Sequence, residues 1–212
     1  MFKYDEKYKF TEQWFDPVIP SWEQVFNYHK QTYGEDKIQS VLEIGCYEGR
    51  ATIFLCDQIL HPGVNYDVVD TFGGSLVESG MEGTTNRLKE NENFIYDNFK
   101  HNISFHSDIN FNLYKGYSQH ILPTLVKQNK KYDFIYVDAS HRSDDTYVDG
   151  YFAHKLLNPN GIMIFDDYGW KDPNSPHPVD SPEMGIRLFM TSYSDCYKIL
   201  LSGYQVGIEK IK

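Results

Sequence analysis

The sequence is poor in several features that define whole classes of protein. It has three cysteines in 212 residues, an odd number and widely spaced, so no disulfide framework or zinc pattern follows from them. No stretch approaches the roughly 18 uncharged apolar residues of a membrane span. Charged residues also interrupt the first nine positions, where a signal peptide needs an apolar run. We therefore predict a cytoplasmic protein without a membrane partner.

Positive charge is scarce as well. Lysine and arginine total 20 against 30 acidic residues, which gives a formal net charge of −10 without any evident basic cluster. A negative surface repels phosphate backbones, so we do not expect a nucleic-acid partner. The length and the 41% hydrophobic content suit one globular domain with a sizeable core. The oligomeric state stays open, with a homodimer among the options.

Strand and helix patterns alternate along most of the chain. Short apolar runs bounded by turn residues predict strands at 40–45, 66–70, 111–114, 132–138, 162–165, 196–201 and 204–211. The segments between them predict helices at 22–28, 51–60, 86–100, 118–127, 144–157 and 183–193. This order predicts an α/β fold with a doubly wound, mostly parallel sheet that ends in an antiparallel hairpin.

Some boundaries depend on single residues. Residues 103–106 are an alternative third strand, but we favour 111–114 because a glycine-containing turn follows it. Ser21, with a glutamine three residues later, predicts a capping box at the start of the first helix. Pro123 predicts that its helix kinks or begins late.

The regions outside this alternating core are predicted to cover it. We expect residues 1–37 to form an N-terminal helical cap on a domain that spans 38–212. Within that domain, segments 71–100 and 168–182 are predicted lids, since they combine polar residues with glycine or proline.

The end of the first strand carries a glycine loop. Glu43-x-Gly45-x-x-x-Gly49 lets backbone approach a ligand at a helix N-terminus, and Asp70 ends the second strand 25 residues after Gly45. An acid about 20 residues beyond such a loop meets a ribose hydroxyl in nucleotide sites. Tyr47 and Arg50 stand where a dehydrogenase fingerprint has its later glycines, which favours a ligand without phosphates.

At this point the sequence resembles a known family. The stretch Val41-Leu-Glu-Ile-Gly-Cys-Tyr-Glu-Gly49 is similar to motif I of class I S-adenosylmethionine-dependent methyltransferases, in its catechol O-methyltransferase-like form. Gly116-Tyr-Ser-Gln119 resembles that group's Gly-x-Ser-Gln. Asp138-Ala-Ser-His141 and Asp166-Asp-Tyr168 resemble strand ends of metal-dependent O-methyltransferases, including macrocin-type sugar enzymes. The resemblance covers residues 38–170 and implies a Rossmann-like, seven-stranded fold.

The resemblance implies roles for individual residues. Glu43, Gly45 and Tyr47 would line the methionine end of the cofactor, and Asp70 would hold the ribose hydroxyls. Gly49, Ser118, Gln119 and Asp138 complete the expected cofactor-binding set, with Ser118 and Gln119 beside the adenine.

Three carboxylates are predicted to converge at the ends of the fourth and fifth strands. These strands should be neighbours about 4.8 Å apart, so Asp138, Asp166 and Asp167 would repel one another unless a cation lay between them. They predict a site for Mg²⁺ or another divalent ion. The alternative is that Asp167 caps a helix or faces solvent.

The leading hypothesis is an O-methyltransferase that acts on a hydroxyl of a small molecule, such as a sugar or a catechol-like ring. Asp138 and His141 are the candidate catalytic residues, because a divalent ion lowers the pKa of a hydroxyl and a histidine can take its proton. Two alternatives stay open: a metal-independent enzyme with His141 as base, and a non-catalytic module that binds the nucleoside.

Overall fold

The computed structural model describes residues 2–74 and 82–212, and one twisted sheet forms its centre. The strands are β1 Ser40–Ile44, β2 Asn65–Asp70, β3 Asn110–Lys115, β4 Tyr132–Val137, β5 Leu157–Phe165, β6 Tyr197–Ser202 and β7 Val206–Lys210. Their order across the sheet is β3-β2-β1-β4-β5-β7-β6. Strands β1 to β5 pair in parallel, whereas β7 runs antiparallel to β5 and β6. The predicted fold class is confirmed.

Helices cover both faces of this sheet. They are α1 Ile19–Tyr33, α2 Arg50–Gln58, α3 Glu82–Glu90, α4 Phe94–Ile103, α5 Ser118–Lys127, α6 Ser143–Leu156 and α7 Glu183–Ser192, with short 3₁₀ turns at Asp16–Val18, Glu35–Lys37 and Pro178–Asp180. One buried apolar cluster joins α1, α2 and α4 to the sheet, and a second joins α5, α6 and α7 to the opposite face. Central strands buried on both sides explain the near-continuous apolar runs of β1 and β4.

The sheet also fixes where a ligand can bind. Strand β1 lies between β2 and β4. The strands after β1 extend the sheet first on the β2 side and then on the β4 side, so the switch point lies between β1 and β4. Ligands of open α/β sheets bind beyond the carboxyl ends of the strands at such a switch point. The ends of β1 and β4 are joined by the bond from the Asp138 N–H to the Ile44 carbonyl, at 2.8 Å.

The N-terminal segment packs on the α2 side of the sheet. Residues 2–15 contain no regular helix, and the long helix of the predicted cap is α1. Trp22 is fully buried, with ring contacts to Phe15 and Tyr136 at 4.8 Å each. Its Nε1–H donates to the Gln205 side chain at 2.8 Å. The segment is thereby held against β4 and the start of β7.

Several sequence-based boundaries need correction. The predicted capping box at Ser21 is wrong, because α1 begins at Ile19 with a proline in its first turn and no side-chain cap. The predicted helix 86–100 is two helices: Asn91 accepts the N–H of Asn93 at 3.0 Å, and this Asx turn separates α3 from α4. Strand β5 begins at Leu157, earlier than predicted, across a register shift opposite Tyr132 and Phe134.

Other boundaries are confirmed. The third strand is β3, around the favoured 111–114, whereas residue 103 ends α4. Helix α5 begins at Ser118 with Pro123 inside it, so it does not begin late. The predicted lid 71–100 lies partly outside the described residues, which omit 75–81. Among the described residues, no helix combines the length and the apolar character needed to cross a bilayer.

Candidate active site

A cavity of about 1010 Å³ opens at the carboxyl ends of the central strands. Its size lies at the upper end of the ordinary range for ligand pockets, roughly 300–1,000 Å³. Ten of the predicted site residues line it: Glu43, Gly45, Tyr47, Asp70, Ser118, Gln119, Asp138, His141, Asp166 and Asp167. The N-terminal segment supplies a further wall, from Phe10 to Val18. The structure therefore brings the predicted residues to one place.

The glycine loop after β1 has the backbone conformation that its sequence requires. Gly45, Tyr47 and Gly49 have φ values of 85°, 51° and 82°. A Cβ on Gly45 would lie 2.1 Å from the Asp138 carbonyl oxygen, so only glycine allows the β1 and β4 ends to approach so closely. Gly49 is the N-cap of α2 and packs against the Phe99 ring, and it is not part of the cavity wall.

Asp70 is bonded to this loop through both carboxylate oxygens. Its Oδ2 accepts the N–H groups of Cys46 at 2.6 Å and Tyr47 at 3.0 Å, and its Oδ1 accepts the N–H of Phe72 at 2.6 Å. Three charge-assisted bonds from backbone hold the turn between β1 and α2. Asp70 thus shapes the loop, and its position in the cavity wall also leaves it within reach of a ligand.

Glu43 is a fully buried carboxylate with one oxygen committed and one oxygen open. Oε2 accepts the hydroxyls of Thr52 at 2.6 Å and Tyr66 at 2.7 Å, whereas Oε1 has no hydrogen-bond partner. Burial raises the pKa of the Glu43 carboxyl to about 7, and these two hydroxyl bonds oppose the rise. Because Glu43 lines the cavity, a donor of a bound ligand, such as an ammonium group, could form a hydrogen bond with Oε1.

Two acids of α6 support the pair Ser118 and Gln119. Asp145 Oδ1 accepts the Gln119 side-chain N–H at 2.6 Å, and its Oδ2 accepts the Ser140 hydroxyl at 2.9 Å. Asp149, one turn further on, is buried, and a hydrogen bond with Ser118 counteracts the rise that burial causes in its pKa, to about 7. With its N–H groups turned to Asp145, the Gln119 amide presents its oxygen as the remaining acceptor.

Carboxylates from β4 and β5 crowd the opposite side of the cavity. Ligand atoms of Asp138, His141 and Asp167 all lie within 4.8 Å of one another. Burial raises the pKa of Asp138 well above its usual range, and repulsion from Asp166 and Asp167 adds to the rise. Asp167 has a left-handed backbone with φ of 56°, which turns the chain sharply after Asp166. Like charges at this density are stabilised by a bound cation.

Asp166 lies outside that group of three, although the sequence predicts it as a ligand. Its Oδ2 accepts the Tyr136 hydroxyl, and its Oδ1 accepts the Gln205 amide at 3.0 Å and the Asp167 N–H at 2.7 Å. The role of Asp166 in metal binding stays a prediction. His141 takes its place in the group, and its Nε2 lies 2.6 Å from Asp167 Oδ2.

Comparison with known proteins identifies the family. Residues 42–168, more than half of the chain, match the model of a family described as a methyltransferase domain. The chain belongs to this family. The predicted class I S-adenosylmethionine-dependent methyltransferase is thereby confirmed. No curated protein sequence matches the chain at a significant level.

Solved structures share the fold of this methyltransferase. TomG, an O-methyltransferase of tomaymycin synthesis from Streptomyces achromogenes in complex with SAM, is 16% identical, with a TM-score of 0.56 over 90% of this chain and 80% of its own. An O-methyltransferase from Bacillus cereus, in complex with SAH, is 17% identical, with a TM-score of 0.52 over 94% and 97%.

A third structure is longer than this methyltransferase. MycE, from the mycinamycin biosynthetic pathway and in complex with Mg, SAH and mycinamycin VI, is 15% identical, with a TM-score of 0.55 over 97% of this chain and 51% of its own. At these identities the likeness establishes the fold, and the ligands named belong to those proteins.

The methyltransferase also uses site residues that sequence reasoning missed. Tyr136, Tyr204 and Gln205 donate to Asp166 and Asp167. Tyr136 precedes Asp138 by two residues on β4, so strand alternation could have placed both on one side. The other two belong to the link between β6 and β7, where the sequence predicts only a hairpin. Of the three tryptophans, Trp14 and Trp170 line the cavity, and Trp22 lies in the core.

Proposed function

We propose that this methyltransferase transfers the methyl group of S-adenosylmethionine to a hydroxyl of a small molecule, with a divalent cation held at the acid cluster. The observation that carries the proposal is the convergence of Asp138, His141 and Asp167 within 4.8 Å, in the same cavity as the glycine loop. Two carboxylates and an imidazole suit a divalent metal, and water or acceptor oxygen can complete its shell.

The cofactor half of the proposal fits the residues present. The open Oε1 of Glu43 is a buried acceptor that an amino group of the cofactor would satisfy. Asp70 holds the loop that would lie beside the ribose, and Gln119 offers an amide oxygen to the adenine end of the cofactor. The bound cofactor supplies an electrophilic methyl group on sulfur, and a bound divalent cation lowers the pKa of the acceptor hydroxyl.

The chain's own residues then orient the reactants and handle the proton. Asp138 and Asp167 present oxygen atoms to the cation, and Tyr204 donates to Asp167 and fixes it. His141, whose Nε2 lies 2.6 Å from Asp167 Oδ2, would accept the hydroxyl proton when its imidazole is neutral and does not ligate the cation. The N-terminal segment supplies a wall of the cavity in which these groups meet.

The close pair of His141 and Asp167 favours a second candidate. A histidine held by a carboxylate at 2.6 Å is the usual arrangement of a general base and its orienting group. In a metal-independent O-methyltransferase the same pair would deprotonate the acceptor without a cation. The two candidates differ in what the carboxylate of Asp138 contributes, which makes them separable by experiment.

The test measures metal binding and turnover on the same protein. Mn²⁺ binding to the complex with S-adenosylhomocysteine is followed by electron paramagnetic resonance, and methyl transfer is followed with labelled cofactor with and without EDTA. We expect tight Mn²⁺ binding, loss of turnover in EDTA, and a loss of about 10²–10³ in rate for Asp138→Asn, since a charged group at the reacting centre contributes on that scale. The exposed Asp144→Asn serves as the matched control.

The outcomes separate the candidates. Full turnover in EDTA, together with a rate that His141→Gln abolishes, would establish the metal-independent reaction. Mn²⁺ binding that survives both Asp138→Asn and Asp167→Asn would place the metal elsewhere and contradict the proposed site.

A further inference from the structure

The cavity wall is strongly acidic. Among the described residues, eight carboxylate side chains line it, against one guanidinium, one imidazole and no lysine. Several of these acids are bonded by neutral donors, as Asp70 is by backbone N–H groups and Asp166 is by a tyrosine and a glutamine. Neutral donors leave the net charge of a carboxylate in place. The carboxylates of the wall still outnumber its guanidinium when Glu43 and Asp138 are protonated. When both are ionised in the loaded enzyme, the negative charge of the wall also exceeds the charge of a bound divalent cation and a sulfonium.

The guanidinium is already paired. Arg50 donates to both oxygens of Asp16, at 2.6 and 2.7 Å. The rings of Tyr4 and Phe10 lie 4.3 and 4.8 Å from its central carbon, and its side chain is 15% exposed. A bidentate, stacked guanidinium of this kind is fixed in place. Arg50 holds the N-terminal wall and is not available to a ligand anion.

Two further cationic side chains at the cavity are paired as well. His141 lies 2.6 Å from an oxygen of Asp167. Arg87, on α3, donates to Glu12 at the rim of the N-terminal wall, at 2.9 Å. In residues 2–74 and 82–212, each cationic side chain of the wall has a carboxylate partner. Segment 75–81 contains neither lysine nor arginine in its sequence.

Aromatic faces stand beside these acids. Trp170 lies 4.4 Å from the His141 ring, next to the acid cluster, and Trp14 is 53% exposed and lies 5.2 Å from Tyr47. The face of an indole attracts a cation and accepts a flat apolar group, and it gives an anion no favourable contact. The acidic and the aromatic residues of the wall thus both favour a cationic or neutral ligand over an anion.

We infer that the acceptor is a neutral or amine-bearing hydroxylated molecule, and that the cavity rejects acceptors that carry a carboxylate or phosphate near the reacting hydroxyl. The transfer of a methyl group to this acceptor rests on the proposed function. The charge class of the acceptor rests on the charge of the cavity wall. It excludes sugar phosphates and nucleotide-linked sugars, since like-charge juxtaposition is strongly unfavourable.

The first test measures the charge of the cavity without assuming an acceptor. The chain has three tryptophans, of which Trp22 is fully buried, so ionic quenchers reach Trp14 and Trp170. Quenching by Cs⁺, by I⁻ and by neutral acrylamide is measured on the complex with S-adenosylhomocysteine and Mg²⁺, relative to N-acetyltryptophanamide. We expect relative quenching by Cs⁺ to exceed that by I⁻ at least about threefold at low salt, and the difference to shrink in high salt.

Variants with one accessible tryptophan beside the buried Trp22 sharpen this test. Trp14→Phe leaves Trp170 as the reporter beside the acid cluster, and Trp170→Phe leaves Trp14 at the N-terminal wall. Glu12→Gln should lower Cs⁺ quenching of Trp14 and leave Trp170 less affected. Quenching by I⁻ equal to or above that by Cs⁺ for both reporters would overturn the inference, whatever the acceptor proves to be.

The second test compares acceptors of one shape and three charges. Dopamine, 4-ethylcatechol and 3,4-dihydroxyphenylacetate share a catechol ring and differ at the side-chain end. We expect KM to rise in that order, with at least roughly a tenfold span between the amine and the acid at low salt. A KM for the acid at or below that of 4-ethylcatechol would contradict the inference. If no catechol is methylated, the catechol-like acceptor is excluded, and the quenching result still decides the charge class.

Discussion

The two sides of the cavity treat their carboxylates differently. At the ends of β1 and β2, Asp70 accepts three backbone N–H groups and Glu43 accepts two hydroxyls, so each negative charge is met by fixed donors. At the ends of β4 and β5, Asp138 faces two further aspartates, and burial raises its pKa. Fixed donors therefore meet the charges of the first side, whereas on the second side the donors to Asp166 and Asp167 leave the repulsion between three close carboxylates in place.

This difference indicates which function each side serves. Acids that hold a loop make a preformed surface, which suits a cofactor that binds in one orientation. Acids that repel one another raise the free energy of the folded protein until a cation binds between them. Because binding relieves this repulsion, such a site favours a cation. Mutations should therefore have opposite effects on the stability of the ligand-free protein, according to the side on which they fall.

The largest expected effect is this difference in stability. Asp70→Ala removes the acceptor of three N–H groups and should lower the free energy of unfolding by about 2–3 kcal/mol, since a bond to a charged group contributes about 1.5–3 kcal/mol and freed donors partly rehydrate. Asp138→Asn should raise the free energy of unfolding by about 1 kcal/mol in the absence of metal, because it removes one of three close like charges. Urea unfolding with EDTA present measures both changes.

Mg²⁺ provides the internal control for these two variants. It should stabilise the wild-type protein and the Asp70→Ala variant, and it should have little effect on Asp138→Asn. If both variants lost stability to the same extent in EDTA, the two sides of the cavity would be equivalent, and the contrast drawn from their hydrogen bonds would be wrong.

A second prediction concerns Glu43, which belongs to the hydrogen-bonded side of the cavity and yet has an open oxygen. Its folded-state pKa of about 7 lies above the value of 4.5 for a free glutamate. The folded state therefore holds this proton more tightly than the unfolded chain does. The contribution of Glu43 to stability is greatest below pH 4.5, falls as the pH rises to about 7, and then levels off.

Glu43→Gln should remove that pH dependence and keep both hydroxyl bonds through its carbonyl oxygen. We expect the variant to be more stable than the wild type above pH 7, by about 2 kcal/mol. It should bind S-adenosylhomocysteine more weakly, because an amide replaces the charge facing the amino group. Unfolding curves between pH 4.5 and 8 and calorimetric titration measure the two effects. Equal cofactor affinity in both proteins would show that Glu43 is a core carboxylate without a ligand role.

The sequence predicted the framework of this cavity from local signals. Each acid at a strand end follows an apolar run, and parallel strands place their ends at one edge, so the sequence alone places Asp70, Asp138 and Asp166 together. The glycine loop was recognisable because Gly45 needs a positive φ and leaves room for backbone. Such features depend on short stretches of chain and on the parallel order of strands.

The parts that could not be predicted depend on contacts between distant segments. Nothing near Gln205 or Tyr204 indicates that they donate to Asp166 and Asp167, since the antiparallel pairing of β7 with β5 decides it. The position of His141 inside the metal-ligand group depends on the side chain of Asp167 and its left-handed backbone. Register and rotamer, which no local pattern encodes, determine these details.

The smallest expected effect concerns Asp145 on α6. It tests whether the hydrogen-bonded side of the cavity, with Glu43 and Asp70, extends to Gln119, which is predicted to lie beside the adenine. Asp145→Ala frees the Gln119 amide to rotate, so its oxygen is no longer held toward the cavity. We expect the Kd for S-adenosylhomocysteine to rise about five- to tenfold, on the scale of one hydrogen bond between neutral groups. Discrimination against S-inosylhomocysteine, which has an oxygen in place of the 6-amino group, should fall as well. Isothermal titration measures both ligands.

Two neighbouring substitutions separate this effect from its alternatives. Asp144→Ala changes an exposed acid one residue away, whose partner is Arg142 at 3.2 Å, and should leave both Kd values unchanged. Ser140→Ala removes the other bond of Asp145 and should leave the discrimination between the two nucleosides intact. If Asp145→Ala weakened both ligands equally, the aspartate would act on the general shape of the wall and not on the orientation of Gln119. The hydrogen-bonded side would then end at Glu43 and Asp70.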